Sequence, residues 1–166
     1  MEAYVADALA DRSAGSAMPL ATIRVADGAV VGSTRFLRLE RWPWPADSSF
    51  VRHDGTPDVV EIGATWLARS AQRTGINTEA KLLMLTHAFD GWRVLRVSII
   101  TDARNEQSRT AIARLGAHFE GVIRAHRIGA DGQVRDSARY SILASEWPAI
   151  RSRLTPAVAG PSGSGS

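Results

Sequence analysis

The sequence has no cysteine among its 166 residues. This absence excludes disulfide bonds, a thiol nucleophile and a cysteine-bound metal, and it agrees with a reducing, cytoplasmic setting. No stretch approaches the roughly 18 consecutive apolar residues of a membrane-spanning helix. The N-terminus also lacks a basic start followed by an apolar block. We therefore expect a cytoplasmic protein without a membrane anchor or signal peptide.

Blocks of like charge are missing as well. The net charge is only +3, and acidic and basic residues alternate along the chain. This pattern favours a mixed, solvated surface, so we expect no nucleic-acid partner. The histidines show no metal-ligand spacing, so we expect no metal site; they are His53, His87, His118 and His126.

Apolar periodicity and turn residues predict one domain over residues 1–154, long enough to bury a core. We predict helices at 2–12, 78–89, 106–115 and 145–154, and strands at 20–25, 29–39, 59–67, 94–101, 118–128 and 134–143. This order predicts a mixed α/β fold with an antiparallel front. Pro, Gly and Ser dominate residues 155–166, which we expect to form a disordered tail.

The segment 72–80 joins a predicted strand to a predicted helix. Backbone N–H groups at a helix N-terminus form a ready phosphate site, and Arg73 adds a cation. Gly75 allows close backbone approach or a positive φ, and the hydroxyl of Thr78 is a candidate helix cap. The alternative is an ordinary loop followed by a capped helix.

A second strand-to-helix segment decides between these interpretations. Asn105 and Ser108 follow the strand at 94–101, and the next helix ends at Leu115-Gly116-Ala117. With Gln72-Arg73-Thr74-Gly75-Ile76 and Thr78-Glu79-Ala80, these motifs resemble the GNAT acyl-CoA N-acyltransferases, in the branch of the ribosomal-protein N-terminal acetyltransferases. The resemblance covers roughly residues 1 to 154. Asn77 departs from the family's Gly or Ala, and its side chain either obstructs the loop or donates a hydrogen bond.

The resemblance implies acetyl-CoA as co-substrate and a mostly antiparallel sheet with a splayed parallel strand pair. It implies that acetyl-CoA is bound by Trp66, Leu67, Gln72, Arg73, Thr74, Gly75, Ile76, Asn77, Thr78 and Asn105. The backbone of Trp66 and Leu67 would pair with pantetheine as an added strand does. Asn105 would bond the pantetheine amide, although its other role is that of a helix N-cap.

Two residues are candidates for catalysis. Glu61 is a carboxylate on an otherwise apolar strand, and the family implies that it deprotonates the amine. The alternative is that Glu61 faces solvent or pairs with an arginine. Ser108 matches a family position near the sulfur, as a proton donor to the thiolate; its alternative role is capping. Ile112 stands where many relatives carry a tyrosine acid, and Tyr140 is a weaker substitute.

We therefore predict an acetyl-CoA-dependent N-acetyltransferase that acts by direct attack of a primary amine, in a protein or peptide N-terminus or a small amine. The alternative is a non-catalytic acyl-CoA-binding module. The family usually begins with a further strand and helix, which this sequence lacks. We therefore expect the strand at 20–25 to lie at an exposed edge, where a homodimer could form.

Overall fold

The computed structural model describes residues 2–129 and 131–159. Its helices are α1 (Glu2–Ser13), α2 (Ile76–Thr86), α3 (Glu106–Leu115) and α4 (Trp147–Ala159). Its strands are β1 (Ala17–Arg24), β2 (Ala29–Glu40), β3 (Val59–Leu67), β4 (Arg96–Asp102), β5 (His118–Ile128) and β6 (Val134–Leu143). A short 3-10 turn at Arg69–Ala71 follows β3, and a π-helical turn at His87–Gly91 extends α2.

The six strands form one sheet in the order β1-β2-β3-β4-β6-β5. All neighbouring strands are antiparallel except β3 and β4, which are parallel. Parallel neighbours need a crossover connection, and here the crossover contains α2. The predicted mixed, mostly antiparallel α/β fold with one parallel pair is confirmed.

The predicted bounds of β3, α3, β5 and β6 agree with the structure residue for residue. Helix α2 begins two residues earlier than predicted, and α4 continues to Ala159, five residues beyond the predicted end at Leu154. The expected tail lies from residue 160 onward outside the described residues. No helix in the described part of the chain has the length and hydropathy needed to cross a membrane.

The hydrophobic core lies on one face of the sheet. Val60 and Ile62 of β3 pack there with Leu85 of α2, Ile112 of α3 and Ile150 of α4. Because successive side chains of a strand point to opposite faces, Glu61 points away from these three helices. A polar site can therefore form on the other face without interrupting the core.

Lys81, the only lysine of the chain, is a residue of α2 and is buried, with 5% of its surface exposed. Its Nζ donates hydrogen bonds to Thr34 Oγ1 of β2 at 2.9 Å and to Thr65 Oγ1 of β3 at 2.7 Å. Burial lowers the pKa of Lys81 to about 7. The amine thus connects α2 to the distal part of β3.

Strand β1 is an edge of the sheet, as expected for residues 20–25. Helix α1 packs near it and is held by an ion pair of 3.0 Å between Asp11 Oδ2 and Arg35 Nη1 of β2. Ile23 of β1 nevertheless remains 56% exposed. Helix α1 therefore covers the edge only in part.

Candidate active site at the strand splay

The parallel strands separate part of the way along their length. Pairing of β3 with β4 runs from Val59↔Arg96 to Ile62↔Ile99 and stops there. Beyond it, β3 continues to Leu67 against β2 alone, and β4 continues to Asp102 against β6 alone. Ala64 adopts a left-handed φ of +48° just after the separation, where the β2–β3 register shifts.

This separation leaves one edge of β3 available between the two strands. Trp66 and Leu67 use their other edge to pair with Ser33 and Gly32 of β2. An extended amide-containing chain can add to such an open edge through main-chain hydrogen bonds. The predicted roles of Trp66 and Leu67 stay predictions, and the Leu67 carbonyl already accepts a hydrogen bond from Gln72 Nε2.

The loop after β3 is tied to the end of that strand. Gln72 Nε2 donates to Leu67 O at 3.0 Å, so its side chain supports the loop. The hydroxyl of Thr74 donates to Ala71 O at 2.7 Å and accepts from the backbone N–H of Ile76 at 3.3 Å. Arg73 is exposed and has a left-handed φ of +59°. A non-glycine residue rarely adopts this conformation, so the loop has a specific, constrained shape.

The structure decides two predicted details of this loop. Gly75 has a φ of −67° and is the N-cap of α2, so the positive φ is excluded and its other predicted role, close backbone approach, remains. The predicted cap at Thr78 is wrong, because α2 begins at Ile76 and Thr78 lies inside its first turn. The hydroxyl that bonds the helix start is that of Thr74. The left-handed φ belongs to Arg73, two residues before Gly75, and the helix accordingly begins at Ile76, two residues before the predicted start.

The first turn of α2 still presents the features of an anion site. Its first backbone bond runs from Glu79 N–H to Gly75 O, and the N–H groups of Asn77 and Thr78 make no hydrogen bond with the described residues. Such free N–H groups and the helix dipole attract phosphate. A Cβ at Gly75 would meet no atom within 4 Å, so this surface is open to a ligand. Asn77 is half-exposed.

The start of α3 lies at the end of β4, on the other side of the splay. The Asn105 side chain accepts a hydrogen bond from the Ser108 N–H at 2.9 Å, so Asn105 is the N-cap of α3. This leaves the Asn105 amide NH₂ for a further contact. The Ser108 hydroxyl is half-buried and bonds none of the residues that the structure describes. It is therefore available as a proton donor.

Glu61 is almost completely buried, at 2% exposure, before the splay begins. Its Oε2 lies 3.1 Å from Arg38 Nε, so the arginine pairing is present and exposure to solvent is excluded. Burial raises the pKa of Glu61, and the charges of Arg38, Arg127, Arg139 and Arg135 oppose that rise. A carboxylate with a raised pKa is suited to accept a proton near neutral pH.

Beside Glu61 lies a cavity of about 130 Å³, which we name the arginine pocket. Its charged and aromatic lining includes Arg38, Trp42, Arg96, His126 and Arg139. The sequence analysis assigned none of these residues to a site. A detectable signal was the alternation of Arg135, Ser137 and Arg139 along β6, which marks a polar sheet face.

A larger hollow of about 460 Å³ lies between residues 49–54 and Arg93, and it contains none of the predicted site residues. Tyr140, the weaker acid candidate, is buried under α3, where its hydroxyl accepts from Arg109 Nε at 3.2 Å. Among the described residues, no three His, Asp or Glu side chains are close enough to share a metal ion.

Comparison with known proteins agrees with this geometry. The chain is 36% identical over 88 residues to YdaF of Bacillus subtilis (strain 168), which is provisionally named a ribosomal N-acetyltransferase. The match covers 53% of this chain and 47% of YdaF, so the matched region spans about half the length of that relative.

Solved structures match over more of the chain. An acetyltransferase structure from T. thermophilus is 32% identical, with a TM-score of 0.71 and coverage of 92% of this chain and 70% of that one. RimJ of Mycobacterium smegmatis, solved with CoA-disulfide, is 25% identical, with a TM-score of 0.73 and coverage of 94% and 67%. The model of the acetyltransferase (GNAT) domain family matches residues 1–118. The chain therefore belongs to the GNAT acetyltransferase family, in agreement with the resemblance of its two strand-to-helix motifs.

Proposed function

We propose that this protein is an acetyl-CoA-dependent N-acetyltransferase whose acceptor is a primary amine, chiefly the N-terminus of a protein or peptide. The observation that carries the proposal is the arrangement of three features along β3. First comes the buried carboxylate of Glu61, then the edge at Trp66 and Leu67 that β4 does not cover, and then the start of α2 with its unbonded N–H groups. The name of YdaF supports an acceptor of the ribosomal-protein type.

The residues at the splay fit acetyl-CoA, which supplies an acetyl thioester. Arg73 and the N–H groups of Asn77 and Thr78 would hold the pyrophosphate, because they combine a cation with unbonded donors at a helix N-terminus. Gln72, Thr74 and Ile76 would maintain the loop shape through the contacts described above. The backbone of Trp66 and Leu67 and the free amide NH₂ of Asn105 would hold the pantetheine arm.

The chemistry requires a neutral amine, because an ammonium group has no lone pair with which to attack. Glu61 is the proposed general base that takes this proton, directly or through water. Burial raises its pKa, which makes it a stronger base, and the neighbouring arginines oppose that rise. The hydroxyl of Ser108 is the proposed donor of the proton that the leaving sulfur takes up. The chain has no cysteine, and the proposed route is direct attack without an acyl-enzyme.

Binding and turnover together test this function. Isothermal calorimetry with acetyl-CoA measures occupancy of the splay, and a thiol-reactive dye measures CoA release with a panel of peptides and small amines. We expect micromolar binding and amine-dependent CoA release. Binding without release for any amine would identify an acyl-CoA-binding module instead. Absence of binding would contradict both functions.

A further inference from the structure

The arginine pocket has more positive than negative side chains around it. Arg38, Arg96 and Arg139 line the cavity, and Arg127 and Arg135 are close enough to influence the ionisation of Glu61. The carboxylates facing these five guanidinium groups are Glu61 and Glu40, which line the cavity, Glu120, which pairs with two of the arginines, and Asp102, whose pKa the charge of Arg135 helps to lower. Five guanidinium groups against four carboxylates leave a surplus of positive charge even when all four carboxylates are ionised.

The carboxylates near the pocket do not accept a hydrogen bond from every N–H donor of its arginines. Glu120 accepts from Arg96 Nη2 at 2.6 Å and from the Ser141 hydroxyl at 2.7 Å. Its Oε2 also lies 3.2 Å from Arg139 Nε, but without hydrogen-bond alignment. The Nε atoms of Arg96 and Arg139 are buried and have no hydrogen-bond partner within the described residues. Nitrogens left in this state cost stability unless a ligand or water bonds them.

His126 adds a third buried nitrogen to the lining, since its Nδ1 is also without a partner among those residues. Burial, followed by the charges of Arg127, Arg38, Arg135 and Arg139, lowers the pKa of His126. The neutral ring therefore does not add to the charge of the pocket. Its free nitrogen can still donate or accept one hydrogen bond.

We propose that the arginine pocket binds a carboxylate that the acceptor carries close to its amine, so that the preferred acceptor is anionic. The amine would lie at Glu61 and the carboxylate at Arg96 and Arg139, whose guanidinium forks match a carboxylate. A cavity of about 130 Å³ holds several water molecules, and hence the amine and carboxylate of one amino-acid residue. The carboxylate belongs either to an acidic first residue of a peptide or to a free amino acid. This inference rests on the proposed transfer to an amine.

The test compares acceptors that differ only in charge. Peptide amides beginning with Glu, Gln or Lys, and free glutamate and glutamine, are assayed for CoA release with the wild-type protein. We expect kcat/KM for the Glu peptide to exceed that for the Gln peptide at least tenfold, about 1.4 kcal/mol, with the Lys peptide poorest. Preference for the free amino acids over the Glu peptide would support the proposal with the α-carboxylate as the anion.

Variants locate the selectivity in the pocket. Arg139→Gln should reduce the Glu-over-Gln preference to near unity. The ratio of the two kcat/KM values is compared within the variant, because loss of the Arg139 charge also affects the Glu61 pKa and hence the rate with both peptides. The fold should persist, because Arg96 and Ser141 still satisfy Glu120. Arg139→Lys should recover part of the preference, since it keeps the charge but loses the fork. Arg124→Gln is the matched control, because Arg124 is an exposed arginine on β5 outside the pocket lining.

Calorimetric binding of the same peptides to the protein saturated with CoA provides a readout independent of turnover. If no amine is acetylated, the proposed function fails, and the binding preference still decides the role of the pocket. Equal binding and equal kcat/KM for the Glu and Gln peptides, with free amino acids no better, would overturn the proposal. Retention of the full preference by folded Arg139→Gln would also overturn it.

Discussion

Replacement of the buried lysine should reveal how the free energy of unfolding depends on pH. The pKa of Lys81 is about 7 in the folded protein and 10.5 as the reference value for the unfolded chain. Between these values the unfolded state binds more protons than the folded state, so stability rises with pH. We expect the Lys81→Met variant, which has no titrating amine at this position, to lose this dependence.

The magnitude follows from linkage. A full unit of pH across this window contributes about 1.4 kcal/mol, and the slope is halved at pH 7, where half of the folded molecules are protonated. The contribution of Lys81 to stability therefore increases by about 2 kcal/mol from pH 7 to pH 9. For a chain of this size that corresponds to about 4–8 °C in Tm.

Urea denaturation of both proteins at pH 5.5, 7 and 9 provides the assay. Met is an unbranched apolar side chain, and Thr34 and Thr65 remain 2.8 Å apart and can bond each other without the amine. The acidic range is the matched control. Below pH 6 Lys81 is protonated in both the folded and the unfolded protein, so the difference in the free energy of unfolding between wild type and variant should be constant there. If the free energies of unfolding of the two proteins ran parallel between pH 7 and pH 9, the assignment of a pKa of about 7 to the buried Lys81 amine would be refuted.

Three further predictions concern the site and the sheet edge. Gly75→Val should fold, since its Cβ has open space, yet weaken acetyl-CoA binding at least tenfold, about 1.4 kcal/mol; unchanged calorimetric affinity would remove the loop from the site. Glu61→Gln should lower kcat about 10²-fold with acetyl-CoA affinity retained. Arg38→Gln should shift the acidic limb of the plot of kcat/KM against pH to higher pH, because Arg38 lowers the Glu61 pKa. A wild-type rate in Glu61→Gln, or an unmoved limb in Arg38→Gln, would make Glu61 structural. The open β1 edge, with Ile23 exposed, should cause dimerisation through the N-terminal half; sedimentation as a monomer would contradict this.

The strands and the two motif-bearing segments could be predicted because their signals are local. Strand β3 has an apolar run bounded by turn residues, and α3 has an N-cap at Asn105 and a Gly at its end. These signals come from residues close to one another in the chain, so the positions of β3 and α3 follow from residue spacing alone. The roles of Glu61, Ser108 and the acetyl-CoA contacts stay predictions, although the structure gives each of them compatible surroundings.

Details that depend on exact backbone torsion were less accessible. The left-handed residue of the loop is Arg73 and not Gly75. A glycine indicates freedom to adopt a positive φ, but it does not require one. The side chains of Gln72 and Thr74 hydrogen-bond the end of β3 and the 3-10 turn on either side of Arg73, contacts that the residue types alone do not indicate.

The sequence by itself indicated the family and the order of elements, and it predicted that the segment joining β3 to α2 binds phosphate. Only the tertiary structure decided that Arg38, Arg96 and Arg139, from three different strands, share one pocket with Glu61. It likewise decided that Lys81 lies between two threonines far from it in the chain. The physical reason is that the burial of a charged side chain, and the charges around it, depend on strand register and helix packing between residues that are far apart in the chain. An arginine or lysine on a solvated surface has the same local sequence signal as one held in a pocket or core.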